Sequence, residues 1–288
     1  MENTLPFKYK MLGVVTLYNT DPHETAENIL RYAPWLDAIV IWDNSPLERQ
    51  AKSLLLPLLS EISERVIWHG TGKNSFIAEA IDFAWNMAKG KKFDFVLTMD
   101  QDSRWDNFAT FRRFIEEDYS SGQRRVYVPY IKGCDKWPIL SAMQQRRLFI
   151  NSGTVYPTEI LTAIDGPDKR FPLDALDHDL AIRVQEAGFG IVCITACILH
   201  HTMGSPTKAK WLPLKANNYA AMRTYEITRS HVLNWRKHSR WLTLGDKWRI
   251  AKDFIVMRLV RIILVEDDKA NRIEMLFRGI RDGRKCKL

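Results

Sequence analysis

Apolar positions in the first two hundred residues fall into short continuous runs separated by polar turns. Met11–Leu17 (MLGVVTL), Ala38–Trp42 (AIVIW), Arg65–Trp68, Phe93–Met99 (FDFVLTM), Val126–Ile131 and Gly190–Ile198 are short, aliphatic and rich in β-branched residues. Runs of this length with no alternation predict strands buried on both faces. Leu148–Tyr156 (LFINSGTVY) reads as a further strand broken by glycine. Between the runs the period changes. Ser75–Lys89 places Ile77, Ala80, Ile81, Ala84 and Met87 on one side of a helix. Helices are also expected from Pro22 to about Tyr32, over Ala51–Ser63 despite Pro57, over Pro157–Ile164 and over Asp179–Ala187, where Gly188 is the stop. Strands alternating with helices at this spacing predict an α/β fold with a mostly parallel, doubly wound sheet flanked by helices. Such sheets bind ligands beyond the carboxyl ends of their strands.

The pattern changes near Gly204–Pro213. Beyond it only helical stretches remain, Asn217–Lys237 and Gly245–Val265, with Trp211, Trp235, Trp241 and Trp248 interleaved with Lys and Arg. The expected organisation is an α/β domain over residues 1–210 and a helical appendage over 211–288. Charge follows the same division. The chain carries +8, yet from His201 onward there are 20 basic and 8 acidic residues, against 22 and 26 before it. A basic appendage favours anionic partners: lipid head groups, phosphates or nucleic acid. Trp248, Ile255, Leu259 and Ile262 beside Lys247, Lys252, Arg258 and Arg261 suit an interfacial helix on an anionic membrane. Packing on the α/β domain or on the mate of a homodimer is the alternative. The run Ile250–Val265 is interrupted by Lys252, Asp253, Arg258 and Arg261, so it does not read as a membrane span. The initial MENTLPFKYK lacks the apolar stretch of a signal peptide, and Cys134, Cys193, Cys197 and Cys286 show no paired metal spacing. A reducing, cytoplasmic setting is expected, with peripheral attachment at the inner face of the cytoplasmic membrane.

Chemistry concentrates at the strand ends, where Asn19, Asp43 and Asp100 follow three successive apolar runs. Asp100 and Asp102 flank Gln101, and alternate residues of an extended loop can converge two carboxylates on one cation. Hard oxygen ligands of this kind suit Mg²⁺ or Mn²⁺ shared with substrate phosphates. A D-x-D in isolation is as readily a solvated turn; its place after a buried strand favours a site. Asp174, Asp177 and Asp179, followed by Arg183, form a second acidic group at a helix start, where the dipole favours carboxylates and where one could act as a general base. His200 and His201 follow the last strand, and either could ligate a metal or contact a phosphate. Asn151-Ser152-Gly153 reads as a tight turn or as part of an acceptor site. A nucleic-acid-binding protein would leave these strand-end carboxylates unexplained, so no nucleic-acid partner is expected.

Taken in order, these residues resemble a known family. Val14-Val15-Thr16-Leu17-Tyr18-Asn19 is similar to an opening strand and donor turn, Asp43-Asn44-Ser45 to a D-N-S motif, and Met99-Asp100-Gln101-Asp102-Ser103 to a D-Q-D-S metal motif. Asn151-Ser152-Gly153 is similar to an N-S-G segment, and Phe171-Pro172-Leu173-Asp174-Ala175-Leu176-Asp177-His178-Asp179 to F-I-D-x-x-D-x-E/D. His201-Thr202-Met203-Gly204 matches H-x-x-G; Arg223-Thr224-Tyr225 and Arg229-Ser230 resemble R-Y-Y and R-N elements. The set resembles family 2 glycosyltransferases of the GT-A fold, most closely the bacterial rhamnosyltransferase-like branch, over about residues 11–235. It departs at Ser75-Phe76-Ile77-Ala78, where a glycine is usual, and at Leu173 and Ser230. The resemblance implies an inverting, metal-dependent transfer of a sugar to a hydroxyl of a glycan or lipid-linked acceptor in surface polysaccharide synthesis, such as O-antigen or capsule. The donor implied is dTDP-rhamnose, with a UDP-sugar as alternative. Thr16, Tyr18, Asn19, Asp43, Asn44, Asp100, Arg223 and Arg229 would bind the donor, and Asp100, Asp102 and His201 the Mg²⁺ or Mn²⁺. Asn151, Ser152, Gly153 and Asp174 would bind the acceptor, and Asp177, or next Asp179, would be the base. A nucleic-acid-binding protein or an inactive, glycosyltransferase-like scaffold is the non-enzymatic alternative.

Overall fold

The computed structural model describes residues 7–135, 137–201, 207–208, 215–216 and 219–288. The chain divides into two compact units: Met1–Lys169 with Arg183–Thr202, and Arg170–Ile182 with Met203–Leu288.

The first unit is built on one sheet. Its strands are β1 (Met11–Leu17), β2 (Ala38–Asp43), β3 (Val66–Gly70), β4 (Phe95–Asp100), β5 (Ser103–Trp105), β6 (Arg125–Lys132), β7 (Met143–Gln145), β8 (Thr154–Pro157) and β9 (Gly190–His201). Their order is β3-β2-β1-β4-β8-β6-β9-β5, and β7 also pairs with β9. The β3-β2-β1-β4 half is parallel throughout, as is β6 with β9; β8, β5 and β7 run antiparallel to their neighbours. Residues of β1, β2 and β4 have almost no exposed surface, the unbroken burial their uninterrupted apolar sequences predict. The register sets Thr16 opposite Trp42 and Asp100, and Leu17 opposite Asp43, so three strands end on one level.

Helices α1 (Pro22–Leu30), α2 (Lys52–Leu58), α3 (Phe76–Lys91), α4 (Phe108–Ser120) and α5 (Thr158–Ala163) accompany this sheet. Asp21 caps α1 by accepting from the amides of His23 and Glu24, and Asn107 caps α4 by accepting from Thr110. The long helix expected over Ala51–Ser63 stops at Leu58, and a 3₁₀ stretch, Ser60–Arg65, follows. Pro57 withholds an amide there and interrupts the ladder. The strand expected over Leu148–Tyr156 forms only at Thr154–Pro157; Ser152 and Gly153 turn, and the Gly153 amide donates to the Thr98 carbonyl. A Cβ at Gly153 (φ +80°) would lie 2.8 Å from both Leu199 and Pro129, so this position requires glycine.

Among its described residues, the second unit has as regular structure helices and the short antiparallel pair β10 (Thr207–Lys208) and β11 (Lys215–Ala216). It contains the start of α6 (Leu176–Glu186), then α7 (Ala221–Lys237), α8 (Leu244–Ile250), a π-helical stretch Ala251–Val256, α9 (Met257–Leu264) and α10 (Lys269–Lys285). Helix α10 lies directly on α7. A Cβ at Gly279 would stand 2.7 Å from the Tyr225 carbonyl oxygen, and one at Gly283 would stand 2.6 Å from that of Arg229. Buried Glu266 holds Arg258 at 2.5 Å and Arg272 at 2.9 Å, and Arg258 also donates to the Thr224 hydroxyl. Arg258 and Ile262, grouped by composition with a lipid-facing surface, are therefore interior residues. Among the described residues no helix is long and apolar enough to cross a membrane. Thr202-Met203-Gly204 and Trp211 lie outside the described residues, as does the expected boundary at Gly204–Pro213 apart from Thr207–Lys208.

Candidate functional site

The carboxyl end of β4 continues through Asp100, Gln101 and Asp102 into β5, which pairs antiparallel with the end of β9. Register sets Ser103 opposite His201 and Arg104 opposite His200. Alternation along β9 then gives the two histidines different surroundings. His200 Nε2 lies 2.7 Å from Asp106. His201 Nδ1 lies 2.8 Å from the Ser103 hydroxyl and 3.4 Å from the Asp102 carboxylate. Asp100, Asp102 and His201 offer one ligand atom each, all within 4.8 Å of one another. Two carboxylate oxygens and one imidazole suit Mg²⁺ or Mn²⁺ when substrate oxygens complete the shell. Of the two histidines considered from sequence, His201 alone joins this group.

The loop carrying these ligands is fixed from beneath and from the side. Ser103, fully buried, shares hydrogen bonds with His201 and with the Ser152 hydroxyl, the latter at 2.7 Å. Ser152 Oγ also accepts from the Asp100 amide at 3.1 Å. The Gln101 side chain clamps Tyr18, accepting from its amide at 2.7 Å and donating to its carbonyl at 3.2 Å, while the Gln101 carbonyl accepts from Asn28. Thr16 Oγ1 donates to Asp100 at 3.3 Å. Asn19 holds a left-handed backbone (φ +47°), which asparagine tolerates, and its amide donates to Ser45. Tyr18 keeps half of its surface exposed beside this loop.

Several expected contacts take other roles. Asn151 and Ser152 are buried, with Asn151 Oδ1 accepting from Tyr156 and its carbonyl from Thr98; with Gly153 they support the loop that carries Asp100 and Asp102. Asp43, also buried, spends its carboxylate on the amides of Ser45 (2.9 Å) and Ala51 (3.3 Å). Asn44 Oδ1 accepts from the Trp42 indole and from Ser75. Both residues shape the turn after β2. The Trp42 ring that Asn44 holds stacks on His69 with centroids 3.9 Å apart, a flat aromatic pair at neighbouring strand ends that the sequence reading passed over.

The acidic group of the second unit also separates. Asp177 lies in the first turn of α6 and is partly exposed. Asp179, two residues on, is fully buried, with Lys237 at 2.6 Å and His238 at 2.8 Å from the same oxygen. This pairing and burial give Asp179 a structural role in its own unit. Asp174 pairs with Arg223 at 3.1 Å, and burial pushes its carboxyl up to about 6 although Arg223 pulls it down. It borders a cavity of about 290 Å³ with Tyr219, Phe254, Arg258 and Arg261. Ala175, between Asp174 and α6, has a left-handed backbone (φ +58°). Arg229 bonds Glu226 and the Arg170 carbonyl. Arg223 and Arg229, expected to contact a donor, thus both serve ion pairs within their own unit.

No protein-family model matches the sequence, and no curated protein matches it. Solved structures do match the fold. GalNAc-T7 crystallised with UDP, GalNAc and Mn²⁺ superposes with a TM-score of 0.55 at 9% identity over 85% of this chain, which spans only 55% of that protein. The 1–349 fragment of S. aureus TarS with UDP-GlcNAc superposes at 0.53 with 14% identity, covering 95% of this chain and 81% of that one. The same fragment with UDP gives 0.51 at 15% identity, over 96% and 91%. At these identities the likeness establishes the fold: a mixed α/β, GT-A arrangement with a mostly parallel sheet flanked by helices.

Proposed function

We propose that this protein is a divalent-metal-dependent glycosyltransferase that moves a sugar from a nucleoside diphosphate to an acceptor hydroxyl with inversion. The observation that carries the reading is the convergence of Asp100, Asp102 and His201 at the ends of β4 and β9, on a loop clamped by Gln101 and underpinned by Ser103 and Ser152. Asp100, Asp102 and His201 would hold Mg²⁺ or Mn²⁺, which when bound neutralises charge developing on the departing diphosphate. The protein's own contribution is placement. Thr16 and the clamped Tyr18 amide keep Asp100 and the β1 turn in register, and exposed Tyr18 offers a ring to the nucleotide.

Asp177 is the general base. It takes the proton from the acceptor hydroxyl as the oxygen attacks the anomeric carbon from the side opposite the leaving diphosphate. Its partial exposure at a helix start supports this role, and the enclosure of Asp179 speaks against that residue as the base. Asp174 and the cavity beside it are the acceptor-side elements. For the donor, dTDP-rhamnose follows from the D-Q-D-S resemblance; a UDP-sugar is the second reading, favoured by structural neighbours crystallised with UDP and UDP-GlcNAc.

Titration calorimetry with UDP and dTDP, with Mn²⁺ and with chelator, tests the reading. Binding that requires the metal and disappears in Asp102→Asn is expected; metal-independent binding would overturn the assignment of Asp102. A panel of dTDP-rhamnose, UDP-glucose, UDP-galactose and UDP-GlcNAc scored by hydrolysis identifies the donor.

A further inference from the structure

The helical run Leu244–Leu264 has two faces of opposite character. Ile250, Arg258 and Ile262 point inward, each with at most 4% of its surface exposed. The other face exposes Leu244 (85%), Trp248 (68%), Val256 (52%) and Ile263 (46%), with Leu264 (52%) at its edge. These residues share a face because of the π-helical stretch. At about 100° per residue an uninterrupted α-helix would carry Val256 roughly 120° round from Leu244. The wider winding of Ala251–Val256 takes back most of that rotation. The strip also contains exposed Lys252, with Lys247 and exposed Arg249 beside Leu244 and Trp248. Of the acidic residues on the run, Asp246 is buried in the Thr243 capping box and bonded to Arg249, and Asp253 pairs with Lys252.

We propose that this strip docks the protein on an anionic lipid surface, with the helix lying in the plane of the interface, Leu244, Trp248, Val256 and Ile263 entering the acyl boundary, and Lys247, Arg249 and Lys252 meeting head-group charge. A line of large exposed apolar residues rimmed by cations has the composition of an interfacial helix. Charge decides the occupant. A two-fold contact with a second copy sets one patch against itself, which brings together two segments that each carry 20 basic and 8 acidic residues from His201 onward. An anionic bilayer neutralises them, at a strength that salt screens. The surplus of basic residues after His201 acts in the same direction. The inference does not depend on the proposed sugar transfer.

Full-length protein sedimented with vesicles of phosphatidylglycerol and phosphatidylcholine, against phosphatidylcholine alone, tests it. Binding is expected to the anionic vesicles, to fall several-fold at about 0.5 M NaCl, and to fall at least about tenfold in the L244E/W248E double variant. Because both residues are exposed, the variant should keep the wild-type melting temperature. Absence of wild-type binding to anionic vesicles, or equal binding by a folded L244E/W248E variant, overturns the proposal. So does light scattering that shows a wild-type dimer converted to monomer by L244E/W248E, since the strip would then be a subunit contact.

Discussion

Ser103→Ala tests whether the ligand cluster is organised from beneath. The Ser103 hydroxyl is fully buried, 2.8 Å from His201 Nδ1 and 2.7 Å from Ser152 Oγ, and touches no solvent. Its removal leaves Asp100, Asp102 and His201 unchanged in sequence and takes away a hydrogen-bond partner of the imidazole and of Ser152. Loss of such a supporting hydrogen bond typically weakens metal binding by about 10- to 100-fold, or about 1.4–2.7 kcal/mol. The fold loses less, about 1 kcal/mol, because Ser152 still accepts from the Asp100 amide. Calorimetric titration of Mn²⁺ with UDP present, alongside melting curves of the metal-free protein, separates the two effects. The expected result is a tenfold or greater loss of Mn²⁺-dependent nucleotide binding with a melting point within a few degrees of wild type. Binding within about twofold of wild type in a folded variant would refute the idea that Ser103 positions His201, and with it the structural route by which β5 and β9 build the site.

The remaining predictions concern the frame around the site. Asp179→Asn removes a fully buried carboxylate from its pairs with Lys237 and His238, so a loss of about 3 kcal/mol is expected in denaturant melts; the further change Lys237→Met should recover part of it, and a single variant as stable as wild type would return Asp179 to the list of candidate bases. Gly279→Ala and Gly90→Ala should shift stability in opposite directions in the same assay. A Cβ at Gly279 meets the α7 backbone at 2.7 Å and should cost about 1–3 kcal/mol, whereas one at Gly90 of α3 meets nothing within 4 Å and should gain about 0.5–1 kcal/mol. Equal effects would mean that α10 does not pack against α7 at van der Waals contact.

The parallel half of the sheet was legible because its strands are buried on both faces and therefore carry unbroken apolar sequences. β1, β2 and β4 fall within two residues of their expected limits. What escaped was structure whose stability comes from partners distant in sequence. β5 and β7 have three residues each and owe their conformation to β9. Helix α4 follows directly on β5 and is absent from the expected elements, although Phe108, Phe111 and Ile115 recur at helical spacing and Asn107 is a legible cap. Helix α10 has a low apolar content and uses glycines against α7, and glycine in a helical window argues against a helix unless its packing partner is known.

At the site, sequence identified the residue types that bind metal but could not separate ligands from their supports, because both are short polar residues at strand ends. Register makes that separation. One position along β9 is the difference between His201, which faces Ser103 and Asp102, and His200, which faces Asp106. Burial separates Asp177 from Asp179 in the same way: two residues along a helix is a turn of about 200°, enough to leave one carboxylate accessible and enclose the other. Gln101 was noted only as part of a motif, yet its amide is what fastens the ligand loop to β1. A glutamate there could accept from the Tyr18 amide but could not donate to the Tyr18 carbonyl. The middle residue of the D-x-D is therefore constrained in this chain by a donor–acceptor requirement that spacing alone does not express.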